Sequence, residues 1–131
     1  GCGSGILALA ALALGAERVA AVDNDPQARA ACRANLADNG RESDARVTAP
    51  EELDPDQQFG FIVANILSGT LIDLAPRLAG YRRAGTQIAL TGILPGQVES
   101  VREAYAPWFG ELPAREREGW VLLSGSATAQ E

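Results

Sequence analysis

A glycine-rich turn and a carboxylate are spaced in this chain as they are in nucleotide-binding pockets. Gly1, Gly3 and Gly5 precede an apolar segment, and Asp23 follows the next apolar stretch, 22 positions after Gly1. Glycines let a backbone approach a ligand closely, and a carboxylate accepts hydrogen bonds from ribose hydroxyls. Because the spacing fits one helix and one strand, it predicts a nucleotide-like ligand beside Gly1, Gly3 and Asp23.

The glycine spacing distinguishes two kinds of cofactor. A dinucleotide-binding turn has the pattern G-x-G-x-x-G, whose third glycine would be residue 6, but Ile6 occupies that position. The pattern G-x-G-x-G, with Gly5 last, resembles the first motif of S-adenosylmethionine-dependent methyltransferases. A packing turn without a ligand is the alternative.

Two acidic residues compete for the ribose. Asp25 precedes Pro26, an arrangement typical of a helix start with Asp as the N-cap. Asp23 ends the strand, where its side chain should point into the crevice at the carboxyl edge of the sheet. We therefore expect Asp23 to bind ribose and Asn24 to lie near the base.

Asn65 is the second candidate functional residue. It follows a strongly apolar strand over residues 59–64, and ligands bind at the carboxyl ends of such strands. An amide oxygen there can accept a hydrogen bond from a substrate amine and contact the cofactor, although a plain turn asparagine is the alternative. Glu51, Glu52 and Asp54 are interpreted as a solvated face.

Composition excludes several classes of function. The chain has 131 residues, 47% of them hydrophobic, a net charge of −6 and no histidine. Scattered basic residues argue against nucleic-acid binding, and an acidic surface suits a basic partner.

Cys2 and Cys32 form no metal motif, so no metal site is expected, and two free thiols indicate a cytoplasmic protein. No apolar run is long enough to cross a bilayer. A monomer is expected.

Helical and strand patterns alternate along the chain and end in a strand pair. This order predicts an α/β fold with a doubly wound, mostly parallel sheet whose last strand is antiparallel. Residues 6–14, apolar nearly all round, predict a helix buried against that sheet. We expect one domain over residues 1–125 and a flexible tail over 126–131. Because nothing precedes the glycine turn, we expect a fragment that lacks its first strand.

Five segments together resemble one family, the methyltransferases that modify the large-subunit ribosomal stalk protein numbered eleven. They are Gly1–Ala8, Val22–Ala28, Val63–Leu67, Thr91–Leu94 and Glu118–Val121. The resemblance covers nearly the whole chain up to residue 125. The glycine turn is shared with many methyltransferases, whereas the third and fourth segments are much more specific.

The resemblance implies transfer of methyl groups from S-adenosylmethionine to lysine ε-amines and to the N-terminal α-amine of that ribosomal protein. It also implies that Gly1, Asp23 and Asn65 contact the cofactor and that the fold is Rossmann-like. Our own hypothesis is that Asn65, as the catalytic residue, orients the amine. Asn24 departs from the aliphatic residue common at its position in the family.

Other functions remain open at this point. A related methyltransferase could act on another protein or on a small-molecule amine, but enzymes that methylate adenine or glutamine amides carry an aromatic residue where Ile66-Leu67-Ser68 follows Asn65. A nicotinamide oxidoreductase is disfavoured by Ile6. A degenerate docking module without catalysis is the third alternative.

Overall fold

A computed structural model of the chain describes residues 1–128, and helices and strands alternate along it in the predicted order. The helices are α1 (Ile6–Ala13), α2 (Pro26–Asp38), α3 (Ser68–Ala79) and α4 (Val98–Phe109). The strands are β1 (Val19–Val22), β2 (Ala45–Thr48), β3 (Phe61–Asn65), β4 (Gln87–Ile93), β5 (Ala114–Arg117) and β6 (Trp120–Ser126).

The structure confirms the predicted α/β class, and its strands form two hydrogen-bonded sheets where the sequence predicted one. β1 pairs with β2 in parallel, and the second sheet has the order β3-β4-β6-β5, in which only β3 and β4 are parallel. The antiparallel final strand is as predicted. The residues divide into two compact units, the first Gly1–Asp54 and the second starting at Pro55.

The first unit has a small core between its two helices and its two strands. Its buried members are Ala8, Leu12, Ala21, Cys32 and Leu36. α1 packs against this core through Ala8 and Leu12, as predicted, but its other face is not covered, since Ile6 is 69% exposed and Leu14 89%. Within this unit a two-stranded sheet offers α1 only one apolar surface, so only one face of the helix is covered.

The second unit has the larger core. Its fully buried large side chains are Leu71, Ile88, Leu90, Ile93, Val101, Tyr105, Leu112 and Leu123. The Tyr105 hydroxyl donates to the Leu71 carbonyl at 2.6 Å and thereby ties α4 to α3. Thr86 is buried before β4, where its hydroxyl donates to the Phe59 carbonyl at 2.6 Å and accepts from the Arg83 N–H at 2.8 Å. These bonds satisfy polar groups that would otherwise be buried without partners.

One strand differs in its bounds from the sequence prediction, since β3 begins two residues later than expected and includes Asn65. Residues 114–117 form the edge strand β5. β6 continues to Ser126, because it pairs with β4 as far as Gln87.

The predicted tail over 126–131 lies partly outside the described residues. Within them, the Ala127 N–H donates to the Thr86 carbonyl and the Thr128 N–H to the Trp108 carbonyl. In the described part of the chain the longest helix has 13 residues, and no helix combines the length and apolar character needed to cross a membrane.

Candidate functional site

The glycine turn before α1 is held against the end of β1 and against α2. The Cys2 N–H donates to the Val22 carbonyl at 2.9 Å, and the Gly5 N–H donates to the Cys2 carbonyl at 2.9 Å. Gly5 has a φ of +87°, and a Cβ there would lie 3.0 Å from Cys32 Sγ. Glycine is therefore required at this position both by the backbone conformation and by the close approach of α2.

Gly3 is exposed and open on its outer side. Its φ is +49°, and a Cβ built on it would meet nothing within 4 Å. Gly1 is exposed as well. At Gly3 the turn therefore presents backbone without a side chain to its surroundings.

Asp23 lies directly after β1 with both carboxylate oxygens engaged. Oδ2 accepts from the Gly3 N–H at 3.2 Å, and Oδ1 accepts from the Asp25 N–H at 3.0 Å. The Asp23 backbone is also fixed, since its N–H donates to the Thr48 carbonyl and its carbonyl accepts from Arg29 Nη1. The carboxylate is thus oriented before any ligand arrives, and each oxygen keeps a free lone pair.

Asp23 is a charged acceptor at neutral pH. Partial burial alone would raise its pKa, but the backbone hydrogen bonds from the Asp25 and Gly3 N–H groups, with the charge of Arg29, outweigh this effect and lower the pKa below its ordinary value of 3.8. A carboxylate that is ionised and pre-oriented makes strong hydrogen bonds to hydroxyl donors.

The neighbouring acidic residues have structural roles. Asp25 Oδ1 accepts from the Gln27 N–H at 2.9 Å and caps α2, whose first residue is Pro26, as predicted. Glu52 Oε1 accepts from the Ala49 N–H at 3.0 Å and closes a short 3-10 turn over Pro50–Glu52. Glu51 and Asp54 are exposed, which agrees with a solvated face.

Thr48, whose carbonyl accepts from the Asp23 N–H, has a buried hydroxyl that was not identified from the sequence. Thr48 ends β2, is 3% exposed, and its Oγ1 has no hydrogen-bond partner among residues 1–128. A buried polar atom without a partner is uncommon and calls for a functional explanation. The signal in the sequence was only that a polar residue ends a strand, which Thr48 shares with Asn65.

Asn65 ends β3 in the second unit, and its side chain is exposed. In the described part of the chain no hydrogen bond is made by its amide, which leaves one carbonyl acceptor and two donors free. Asn65 is paired in parallel register with Thr91 of β4. It therefore has a fixed backbone and an available side chain.

Gly92 makes room for Asn65 and was missed as a functional residue. It has a φ of +83°, and a Cβ there would lie 2.9 Å from Asn65 Oδ1 and 3.0 Å from the Ile66 carbonyl oxygen. The register of β4 against β6 also shifts between Leu90 and Ile93. A glycine inside a strand pattern signals such a bulge, so the sequence did contain the indication.

The structure brings Gly3 and Asp23 into contact in the first unit and sets Asn65 against Gly92 in the second. Asn24 is exposed after Asp23 and its predicted position near a base stays a prediction. Among residues 1–128 no three histidine, cysteine, aspartate or glutamate side chains are grouped so that they could hold a metal ion.

Comparison with known proteins identifies relatives of this chain. The family model described as ribosomal protein L11 methyltransferase (PrmA) matches residues 1–128. The ribosomal protein L11 methyltransferase of Pseudomonas paraeruginosa is 54% identical over 131 residues, which are 98% of this chain and 44% of that protein. The Xylella fastidiosa (strain Temecula1) enzyme of the same name is 49% identical over 95% of this chain and 40% of its own length. The chain thus spans less than half the length of these relatives.

Solved structures agree with this assignment. The ribosomal protein L11 methylase of Lactobacillus delbrueckii subsp. bulgaricus has a TM-score of 0.89 and 33% identity over 98% of this chain and 68% of that chain. An RNA methyltransferase from Salinibacter ruber in complex with S-adenosyl-L-homocysteine has a TM-score of 0.73 at 14% identity, with coverage of 100% of this chain and 79% of that one. The second likeness concerns the fold alone. The chain belongs to the ribosomal protein L11 methyltransferase family.

Proposed function

We propose that the whole protein carrying this chain methylates ribosomal protein L11 at lysine ε-amines and at the N-terminal α-amine, with S-adenosylmethionine as the methyl donor. Family membership supports the reaction class and the substrate. The observation that carries the proposal for these residues is the Asp23 carboxylate held beside the open glycine turn.

The residues around Asp23 fit an adenosine group. The free lone pairs of Asp23 suit a pair of vicinal hydroxyls, and Gly3 leaves space where a side chain would otherwise stand. We therefore assign Gly1, Gly3 and Asp23 to cofactor binding.

Asn65 is the proposed catalytic residue and a second cofactor contact. S-adenosylmethionine, when bound, supplies an electrophilic methyl group on a positively charged sulfur. The Asn65 carbonyl oxygen can accept a hydrogen bond from the substrate amine and fix the direction of its lone pair. Orientation of this kind is the main contribution that a transfer with a neutral leaving group requires.

The amine must lose a proton, and no dedicated base is proposed. The chain contains no histidine. An ordinary lysine has a pKa of about 10.4, and removal from water lowers the pKa of an amine because it disfavours the charged form. We propose that desolvation of the substrate amine produces the neutral form and that the proton passes to water.

The proposed substrate also indicates the partner, the compartment and the oligomeric state that we propose. A net charge of −6 favours approach of a basic protein over a nucleic acid. A ribosomal substrate places the reaction in the cytoplasm. A monomer without membrane contact is sufficient for this function.

A transfer assay with the whole protein tests the proposal. Radiolabelled S-adenosylmethionine is supplied with purified ribosomal protein L11 or, in parallel, with ribosomal RNA. We expect label in the protein only, recovered after hydrolysis as methylated lysine and as the methylated N-terminal residue. Label in RNA, or label in L11 at residues other than these amines, contradicts the proposal.

A further inference from the structure

The two cysteines of this chain are neighbours in the first unit. Cys2 lies inside the glycine turn, and Cys32 lies in α2 within the core that Cys2 packs against. Gly5, whose N–H donates to the Cys2 carbonyl, would place a Cβ 3.0 Å from Cys32 Sγ, so the turn and the helix approach closely at this point.

The two thiols differ in their access to solvent. Cys2 is partly exposed, whereas Cys32 is completely buried. Burial and the neighbouring Cys2 thiol raise the pKa of Cys32 to about 11, so Cys32 stays protonated at neutral pH. An oxidant from solution therefore reaches Cys2 first, and Cys32 is the group placed to react with the product.

We propose that Cys2 and Cys32 form a reversible disulfide when the protein meets hydrogen peroxide, and that this bond moves the glycine turn and weakens cofactor binding. In reducing compartments, disulfides of this kind serve as redox sensors more often than as structural bonds. The second half of the proposal rests on the proposed function of the turn.

The chemistry requires two steps. In the first, the Cys2 thiolate attacks one oxygen of hydrogen peroxide, a sulfur–oxygen bond forms, the oxygen–oxygen bond breaks and hydroxide leaves. In the second, the Cys32 sulfur attacks the Cys2 sulfenic acid, the sulfur–sulfur bond forms and water leaves with the Cys32 proton. Together the two thiols lose two electrons, and the peroxide is reduced to two waters.

The bond has a direct structural consequence. Sulfur atoms in a disulfide are about 2 Å apart, which is closer than two thiols that only pack against each other. Cys32 is fixed in the core by α2, whereas Cys2 is flanked by Gly1 and Gly3, which have no side chains to resist a shift. The turn therefore moves toward the helix, and with it the Gly3 N–H that holds Asp23 Oδ2.

Peptide mapping tests bond formation without any reference to activity. The whole protein is treated with hydrogen peroxide, remaining thiols are alkylated, and trypsin is added without a reductant. We expect the tryptic peptide that ends at Arg18 to be joined to the peptide of residues 30–33. The mass of the joined product should be two hydrogens below the sum of the two peptide masses, and reduction should separate the two peptides. The folded protein should form this product at least about tenfold faster than protein in urea, because the thiols are pre-positioned.

Two variants serve as controls, Cys2→Ser and Cys32→Ala, and neither should give the joined peptide. Absence of that peptide from the folded wild-type protein, or equal rates in urea, overturns the proposed disulfide. Stepwise oxidation of Cys2 to sulfinic acid without joining would do the same.

Calorimetric titration of S-adenosylmethionine then tests the consequence. We expect the oxidised protein to bind about tenfold more weakly than the reduced protein, and reduction to restore binding. Equal affinity overturns the regulatory effect although the bond forms. If the reduced protein does not bind at all, the proposed function of the turn fails, and the peptide map still decides whether the disulfide exists.

Discussion

Asp23 and Asn65 both stand at the carboxyl end of a strand that has a parallel neighbour, yet their side chains are held in different ways. Two backbone N–H groups orient the Asp23 carboxylate. The Asn65 amide has no hydrogen bond within residues 1–128, and its position is bounded by the bare backbone of Gly92. Hydrogen-bond donors therefore orient the Asp23 side chain, whereas the absence of a side chain at Gly92 leaves room for the Asn65 side chain.

This difference matches the two tasks proposed for them. A group that holds a cofactor gains affinity from pre-orientation, because less freedom is lost on binding. A group that orients the substrate must retain its hydrogen-bonding capacity until the amine arrives. Substitution at Asp23 should therefore change affinity, and substitution at Asn65 should change turnover.

The largest expected effect is that of Asn65→Ala on turnover. Loss of the amide leaves the amine unoriented, and kcat for methylation of ribosomal protein L11 should fall by about 100-fold. The dissociation constant of S-adenosylmethionine should change by less than about tenfold, since most cofactor contacts lie elsewhere. Asn65→Asp, which keeps the acceptor oxygen, should retain more turnover than Asn65→Ala. A variant with full kcat shows that Asn65 does not orient the amine.

Gly92→Ala should affect both stability and turnover. The new Cβ would stand 2.9 Å from Asn65 Oδ1 on a backbone with a φ of +83°. We expect the free energy of unfolding to fall by about 1–3 kcal/mol and kcat to drop by roughly tenfold. Chemical denaturation and steady-state kinetics measure these effects.

Gly96→Ala is the matched control, because a Cβ on Gly96 meets nothing within 4 Å. It should leave both quantities unchanged. If Gly92→Ala changes stability and kcat as little as Gly96→Ala does, the space at Gly92 does not position the Asn65 side chain.

The sequence predicted the pre-oriented site better than the free one. Glycine spacing, the Asp25-Pro26 helix start and the apolar run before Asp23 are local signals, and the structure confirms the elements that they predicted. The position of Gly92 beside Asn65 depends on the pairing of β3 with β4 and on a shift in β4 against β6. Contacts between strands that are distant in sequence leave no periodic pattern, so Gly92 could indicate a bulge in its strand but not its contact with Asn65.

Burial was the least predictable property. Residues 6–14 have the composition of a helix buried on all sides, yet Ile6 and Leu14 are exposed. Composition shows that a helix can be buried, but the number of surfaces that cover it depends on how many strands its unit contains. The sequence also could not indicate that the Thr48 hydroxyl lacks a hydrogen-bond partner, because this depends on which groups surround it in the folded chain.

Tyr105→Phe tests the stability of the second unit at a position outside the candidate functional site. It removes the hydrogen bond to the Leu71 carbonyl and should lower the free energy of unfolding by about 1–2 kcal/mol. Burial raises the pKa of Tyr105 above its ordinary value of 10.0. The wild-type protein should therefore lose stability as the pH rises above about 10, where the unfolded chain ionises first. Denaturation curves at increasing pH should show a smaller loss for Tyr105→Phe, and an equal loss contradicts this explanation.

Asp25→Ala should have the smallest effect and separates the two acidic residues of the first unit. Loss of the cap on α2 should reduce stability by about 1 kcal/mol. Asp25→Ser, which keeps a capping oxygen, should recover most of it. Neither variant should change the affinity for S-adenosylmethionine by more than about twofold, whereas a large loss of affinity would make Asp25 the ribose ligand.

Calorimetric titration of S-adenosylmethionine into the whole protein, with Asp23→Ala and Asp38→Ala alongside, tests the central claim most directly. Asp38 lies exposed at the end of α2 and serves as the charge-matched control. Hydrogen bonds to a charged acceptor contribute about 1.5–3 kcal/mol, so Asp23→Ala should weaken binding by about 100-fold while Asp38→Ala binds as the wild type does. Wild-type affinity in a folded Asp23→Ala variant would contradict the assignment of Asp23 to the cofactor.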